Sequence, residues 1–183
     1  RRRVTRSRRR DWSGVKVRIL GGVTAAVVAV DAATKLVVER TLRPYEHVEV
    51  LGDVFRLTYI HNPGAAFGIH VGDHSRYLFM ALSVAALAAL LLMYRATPPG
   101  DRVRLTAIAL ITGGALGNLA DRIRSARGVI DFLDVGIGTV RWPVFNIADV
   151  AVTTGAVLLA LSLWHEEHND EAPEAAEEAG EGG

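Results

Sequence analysis

Four long apolar runs constrain this chain more than any other feature: residues 19–38, 77–94, 103–120 and 144–164. Each is close to the ~20 residues that a helix needs to cross ~30 Å of hydrocarbon. Packed in a soluble bundle, such a helix keeps a polar stripe for its solvent face; residues 78–93 have almost none. The 183 residues, 50% of them hydrophobic, fit one domain with its apolar content concentrated in these runs. The expected fold class is therefore an all-α membrane protein of four transmembrane helices. A basic stretch leading into an apolar run also describes a cleavable export signal. Here Asp31 interrupts the first run, and an export signal has no use for a carboxylate, so the run reads as a span.

Charge is divided between the two ends. Residues 1–18 hold nine of the 21 Lys and Arg, in RRRVTRSRRR followed by Lys16 and Arg18. Such clusters stay cytoplasmic. With four spans, both termini are then expected on the cytoplasmic side of the cell membrane. Loop charges do not decide orientation, because residues 95–104 carry three Arg and residues 121–143 carry four. Beside a membrane helix the basic head is expected to meet anionic lipid rather than nucleic acid. Residues 1–18 read as a basic cytoplasmic tail, residues 19–164 as the membrane domain, and residues 165–183, HEEHNDEAPEAAEEAGEGG, as an acidic disordered cytoplasmic tail. The chain opens on Arg1 rather than methionine. It has no cysteine, which excludes disulfides and thiolate chemistry.

The connections differ in kind. Residues 39–76 form a long extracytoplasmic segment, within which residues 47–50 and 55–59 alternate apolar and polar side chains around Gly52 and Asp53. That pattern predicts a hairpin, hence a small extracytoplasmic β-sheet between helices one and two. The turn at Pro98, Pro99 and Gly100 makes helices two and three antiparallel neighbours. The third connection, residues 121–143, reads as an extracytoplasmic loop broken by Gly128, Gly136 and Gly138.

A carboxylate near the bilayer interior costs about 2.5–3.5 kcal/mol on insertion scales, so a chain that keeps several uses them. Asp31 lies about 18 Å along an outward-running helix and Asp149 about 7 Å below the outer edge on an inward-running one, at 1.5 Å per residue. Asp121 ends the third run and Asp131 follows in the loop. Four carboxylates thus converge on the outer leaflet. Two of them at ~3 Å cannot both be ionised at neutral pH, so one is held as acid while the other acts as base. That arrangement suits water-dependent attack on a carbonyl, as in aspartic peptidases.

Four stretches, Asn62-Pro-Gly-Ala-Ala-Phe67, Gly113-Gly-Ala-Leu-Gly-Asn-Leu-Ala-Asp-Arg122, Val129-Ile-Asp-Phe132 and Phe145-Asn-Ile-Ala-Asp149, closely resemble the signature motifs of bacterial lipoprotein signal peptidases (signal peptidase II), in the same order. Asp31-Ala-Ala-Thr-Lys35 resembles that family's first-helix motif. Together these motifs spread from about residue 19 to residue 164, while the basic head and acidic tail match none of them. The resemblance implies a membrane aspartic endopeptidase that cuts diacylglyceryl-modified prolipoproteins just before the lipidated cysteine of the lipobox. It implies Asp131 and Asp149 as the catalytic pair, Asn118 and Arg122 as polar support, Asp121 as a structural partner of Arg122, and Asn62 and Asn146 as lining of the substrate groove. It implies no cofactor, prolipoprotein substrates and membrane lipids as partners, and a monomer.

Each residue also has a plainer reading. Asp121 with Arg122 is either an interfacial ion pair or a substrate contact, and the sequence leaves both open. Asp31 with Lys35 is an i, i+4 pair that neutralises itself. Gly113, Gly114 and Gly117 fit close helix packing, Phe67 fits packing or lipid anchoring, and Trp142 and Trp164 bracket the fourth run as interfacial residues do. Asp131 and Asp149 could be helix caps, but a cap has no purpose inside the apolar run around Asp149, and Asn146 three residues earlier adds a second polar group to its face. Carbonyl attack by water needs an acid and a base but no metal. His47 and His61 are scattered, His165 and His168 lie in the acidic tail, and the His70/His74 pair sits among loop-like residues, so no metal site is expected. An ion-coupled carrier would also keep intramembrane acids, but with repeated halves and a path to both sides; here the acids gather at one side.

Overall fold

A computed structural model describes residues 2–63 and 74–181, with backbone alone for residues 2–11, 167 and 169–181. In order, the elements are α1 (Arg2–Thr41), β1 (His47–Leu51), β2 (Phe55–Asn62), α2 (Ser75–Ala96), α3 (Arg102–Arg124), β3 (Val129–Ile137), β4 (Val140–Arg141) and α4 (Ile147–Glu181). Each helix contains a segment long and apolar enough to span a membrane: Trp12–Thr41, Ser75–Ala96, Arg102–Arg124 and Ile147–Glu166. In α3, 44% of the apolar window is buried against protein, but in α2 only 6%. The third helix is therefore the central post, and α2 keeps most of its apolar surface for lipid.

Glycine sets how closely the helices approach. A Cβ on Gly113 would lie 2.7 Å from Val27 Cβ, and one on Gly114 would lie 2.3 Å from the Ala148 carbonyl oxygen. Only a residue without Cβ lets α3 meet α1 and α4 at these points, as expected of the small-residue spacing.

The expected hairpin is present as β1 and β2, but the sheet is larger than predicted. It is an antiparallel four-stranded sheet in the order β1-β2-β3-β4, so the third connection supplies half its strands and Asp131 stands on a strand rather than in a loop. Strand β3 is buried on both faces along its first four residues, so it lacks the alternation that marks a half-exposed strand. Arg141 ties the sheet together from below, donating Nε to Asp134 (2.6 Å) and Nη1 to the Asp53 carbonyl (2.8 Å). A small core of Val38, Tyr59, Ile130 and Phe132, with Leu42, Leu57, Leu133 and Ile147 packed around it, seats the sheet on the ends of α1 and α4.

Helix continues past the charge boundaries at residues 18 and 165. The backbone is helical from Arg2 and through Glu181, where a loose head and a disordered tail are expected. Arg, Ala and Glu are strong helix formers, and a helix already nucleated by a span propagates at one hydrogen bond per residue. Phe67 and His70 lie outside the described residues.

Candidate functional site

Asp131 is placed by sheet register. It pairs with Ile60 across β2 and β3 and is 2% exposed. Its Oδ2 accepts from Asn62 Nδ2 at 3.0 Å, and its Oδ1 accepts from Asn146 Nδ2 at 2.7 Å. Burial, and next the charge of Asp149, push the Asp131 carboxyl up to about 7, against the pull of those two donors. Gly128 makes the approach possible: it has φ +96°, and a Cβ there would lie 2.0 Å from the Asn62 carbonyl oxygen.

Asp149 is placed by the start of α4. Phe145 exchanges backbone hydrogen bonds with Leu133 (3.0 and 2.7 Å) and also accepts from the Phe132 amide at 2.9 Å. This stitches the residue before Asn146 to β3 and brings the head of α4 against Asp131. The Asn146 amide nitrogen donates to Asp149 Oδ2 (3.1 Å) while the Asp149 amide donates to Asn146 Oδ1 (2.9 Å). That is a reciprocal capping box, each side chain satisfying the other's otherwise unpaired N–H. The expectation that a cap has no purpose here is thus corrected: α4 starts at Ile147 rather than 144, and Asp149 both caps the helix and faces the site. Its other oxygen, Oδ1, accepts from Asn118 Nδ2 at 2.8 Å.

Beneath the pair lies a polar web that spacing alone does not disclose. Lys35, 2% exposed, donates to Asp31 Oδ2 (2.7 Å) and Asn118 Oδ1 (3.1 Å), and its Nζ lies 2.9 Å from Asp121 Oδ2. Asp31, 1% exposed, accepts with Oδ1 from the Ala148 amide at 2.9 Å, so it also serves the head of α4. The self-contained Asp31–Lys35 pair expected from i, i+4 spacing is therefore one edge of a network joining α1, α3 and α4.

The expected Asp121–Arg122 partnership does not form. Asp121 pairs instead with Lys35 and accepts from the Ile130 amide at 3.4 Å, because consecutive helical residues point in different directions. Arg122 donates to the Asn118 carbonyl (3.2 Å) and lies over the Phe79 ring (5.3 Å). Trp142 and Trp164 are exposed at either end of the fourth span. His61 is engaged with the Tyr59 hydroxyl at 3.0 Å, and among the described residues no group of three metal-ligating side chains occurs.

Four apolar helices long enough to span a membrane, with a buried Asp131 and a half-buried Asp149 held by side-chain amides at one end, define a multi-pass membrane protein. The model of the family described as "Signal peptidase (SPase) II" matches residues 23–165. The chain is 42% identical over 151 residues to a lipoprotein signal peptidase of Geobacter metallireducens, covering 82% of this chain and 93% of that one. To a lipoprotein signal peptidase of Halothermothrix orenii it is 46% identical over 145 residues, covering 79% and 94%. A solved bacterial membrane enzyme superposes with a TM-score of 0.74 at 30% identity, over 85% of this chain and 91% of that one. The chain belongs to the signal peptidase II family and is a peptidase.

Proposed function

We propose that this protein removes the signal peptide from diacylglyceryl-modified prolipoproteins, cutting before the lipidated cysteine, with Asp131 and Asp149 as the catalytic pair. The observation that carries the reading is the bridge through Asn146. One residue donates its side-chain amide to Asp131 and its backbone amide to Asp149, so both carboxyl groups address one space. Each keeps a lone pair for a shared water or proton.

Asp131, with its carboxyl raised to about 7, holds the proton, and Asp149 acts as base. Water between them loses a proton to Asp149 as its oxygen attacks the scissile carbonyl, while Asp131 protonates the carbonyl oxygen. The resulting diol collapses as one hydroxyl returns its proton to Asp131, re-forming the carbonyl, and the leaving amine takes a proton from Asp149, breaking the C–N bond.

Membrane address suits such a substrate. A signal helix and two acyl chains confine the scissile bond to the bilayer surface, where a site at the sheet-bearing end of the helices meets it. The basic head supports a topology with both termini in the cytoplasm and the site near the outer surface. Residues 19–164 form the working unit, acting as a monomer among membrane lipids, and the two tails are accessory. Asn62, Asn118, Asn146, Asp121, Arg122 and Asp31 support the pair or line the groove.

The test is cleavage of a synthetic lipobox peptide by purified protein in detergent, with and without the diacylglyceryl group. Cleavage before the modified cysteine is expected. No cleavage of either peptide by folded protein, or proton flux in liposomes in its place, contradicts the assignment.

A further inference from the structure

The ammonium of Lys35 has three N–H donors and no acceptor, and it has three acceptors around it: Asp31 Oδ2 at 2.7 Å, Asp121 Oδ2 at 2.9 Å and Asn118 Oδ1 at 3.1 Å. Two of the three are carboxylates that offset its charge. The third is the amide that touches the catalytic pair, and nothing in charge balance requires that contact.

Asn118 is a residue whose two ends have opposite duties. Its Oδ1 accepts from Lys35 and from Asn146 Nδ2 (3.1 Å), while its Nδ2 donates to Asp149 Oδ1 (2.8 Å). Turned over, the amide would present N–H groups to an ammonium and an N–H, and an oxygen to a carboxylate. Asn146 has its own orientation fixed by the Asp149 amide, and Lys35 is fixed by two carboxylates, so both anchors of Asn118 are themselves held.

Position is transmitted as well as orientation. Asp31 grips Lys35 with one oxygen and the Ala148 amide at the head of α4 with the other. A Cβ on Gly117 would lie 2.6 Å from Asp31 Oδ2, so α3 is notched to admit this carboxylate. Lys35 thus ties α3, which carries Asn118, to Asp31, and Asp31 in turn holds the head of α4, which carries Asp149.

We infer that Lys35 is a positioning residue for peptide hydrolysis: it fixes which end of the Asn118 amide faces Asp149, and so holds that carboxylate as an acceptor aimed at the water. The inference rests on the assignment of Asp131 and Asp149 as the reacting pair. Lys35 touches neither of them and acts only through Asn118.

The experiment is a double-mutant cycle of Lys35→Met and Asn118→Ala, read as kcat and KM on the lipidated peptide, per molecule of folded enzyme. Lys35→Met should lower kcat on the order of 10- to 100-fold, as loss of an outer partner of a reacting group does, with KM within about 3-fold, the signature of an interaction expressed in the transition state. In the Asn118→Ala background the same change should lower kcat no further. A lysine that served stability alone would lower the thermal midpoint and leave kcat per folded molecule untouched. Wild-type kcat in folded Lys35→Met, or losses that multiply in the double variant, would overturn the inference. Should Lys35→Met not fold, Asp31→Asn combined with Lys35→Met removes both halves of one ion pair, and the same cycle against Asn118→Ala decides. An active Asp149→Asn would sink the proposed function itself, a different result from an active Lys35→Met.

Discussion

Asn146 and Asp149 cap each other across the first turn of α4, with backbone amide to side-chain oxygen distances of 3.1 and 2.9 Å in the two directions. The helix start and the candidate site are therefore one structure. An Asp that must end a helix turn cannot drift from the carboxyl it faces, and an Asn that completes the cap has its side-chain NH2 left for Asp131. Replacing Asn146 by Ala should remove both services. Loss of the cap costs about 1 kcal/mol, read as a lower thermal midpoint in detergent, and kcat should fall by more than that loss explains. An unchanged kcat would separate the cap from the site.

Asp131 titrates near neutrality, and the direction of the stability effect follows. Its carboxyl is raised from 3.8 to about 7 in the fold, so the native state binds its proton more tightly than the unfolded chain does. The associated stability is fully present below the unfolded value and is lost as pH rises through about 7. Thermal midpoints measured from pH 5 to pH 8 should fall for the wild type, and the fall should be smaller in Asp131→Asn, which cannot ionise. Identical profiles for the two proteins would contradict the placement of a buried, proton-holding group on β3.

Gly114 should tolerate no side chain. A Cβ there would stand 2.3 Å from the Ala148 carbonyl oxygen, which is backbone at the head of α4 and cannot rotate away. Gly114→Ala should lose about 1–3 kcal/mol, the range for overpacking a close contact, together with activity, because α4 carries Asp149. A stable, active Gly114→Ala would mean that α3 and α4 are less closely apposed.

Removing residues 169–183 should leave turnover nearly intact. That segment follows the end of the fourth span at Glu166, and the family match ends at residue 165. Cleavage by the truncated protein, measured on the lipidated peptide, checks this, and a large loss of kcat would give the acidic segment a part in the reaction.

Much of this architecture is legible in the residues alone, for reasons that differ by element. The spans are legible because hydrocarbon thickness demands an apolar length with few substitutes. The first hairpin is legible because residues 47–50 and 55–59 alternate. Strand β3 is not, since Val129, Ile130, Asp131 and Phe132 are all buried and a strand enclosed on both faces carries no period of two. The capping box is written in the spacing of Asn146 and Asp149, but the apolar neighbours Phe145 and Ile147 make the position look like the interior of a span. The link of Lys35 to Asn118 and Asp121 crosses more than 80 residues of chain, a distance at which no local pattern points to a partner. The motifs identify which polar residues matter, and only the packing of α1 against α3 and α4 reveals what each one holds.

The central claim is tested most directly by single-turnover cleavage of the diacylglyceryl lipobox peptide by Asp131→Asn and by Asp149→Asn, each shown to be folded in detergent. The account predicts that neither variant produces cleaved peptide. Wild-type-like cleavage by either one would remove that residue from the catalytic pair.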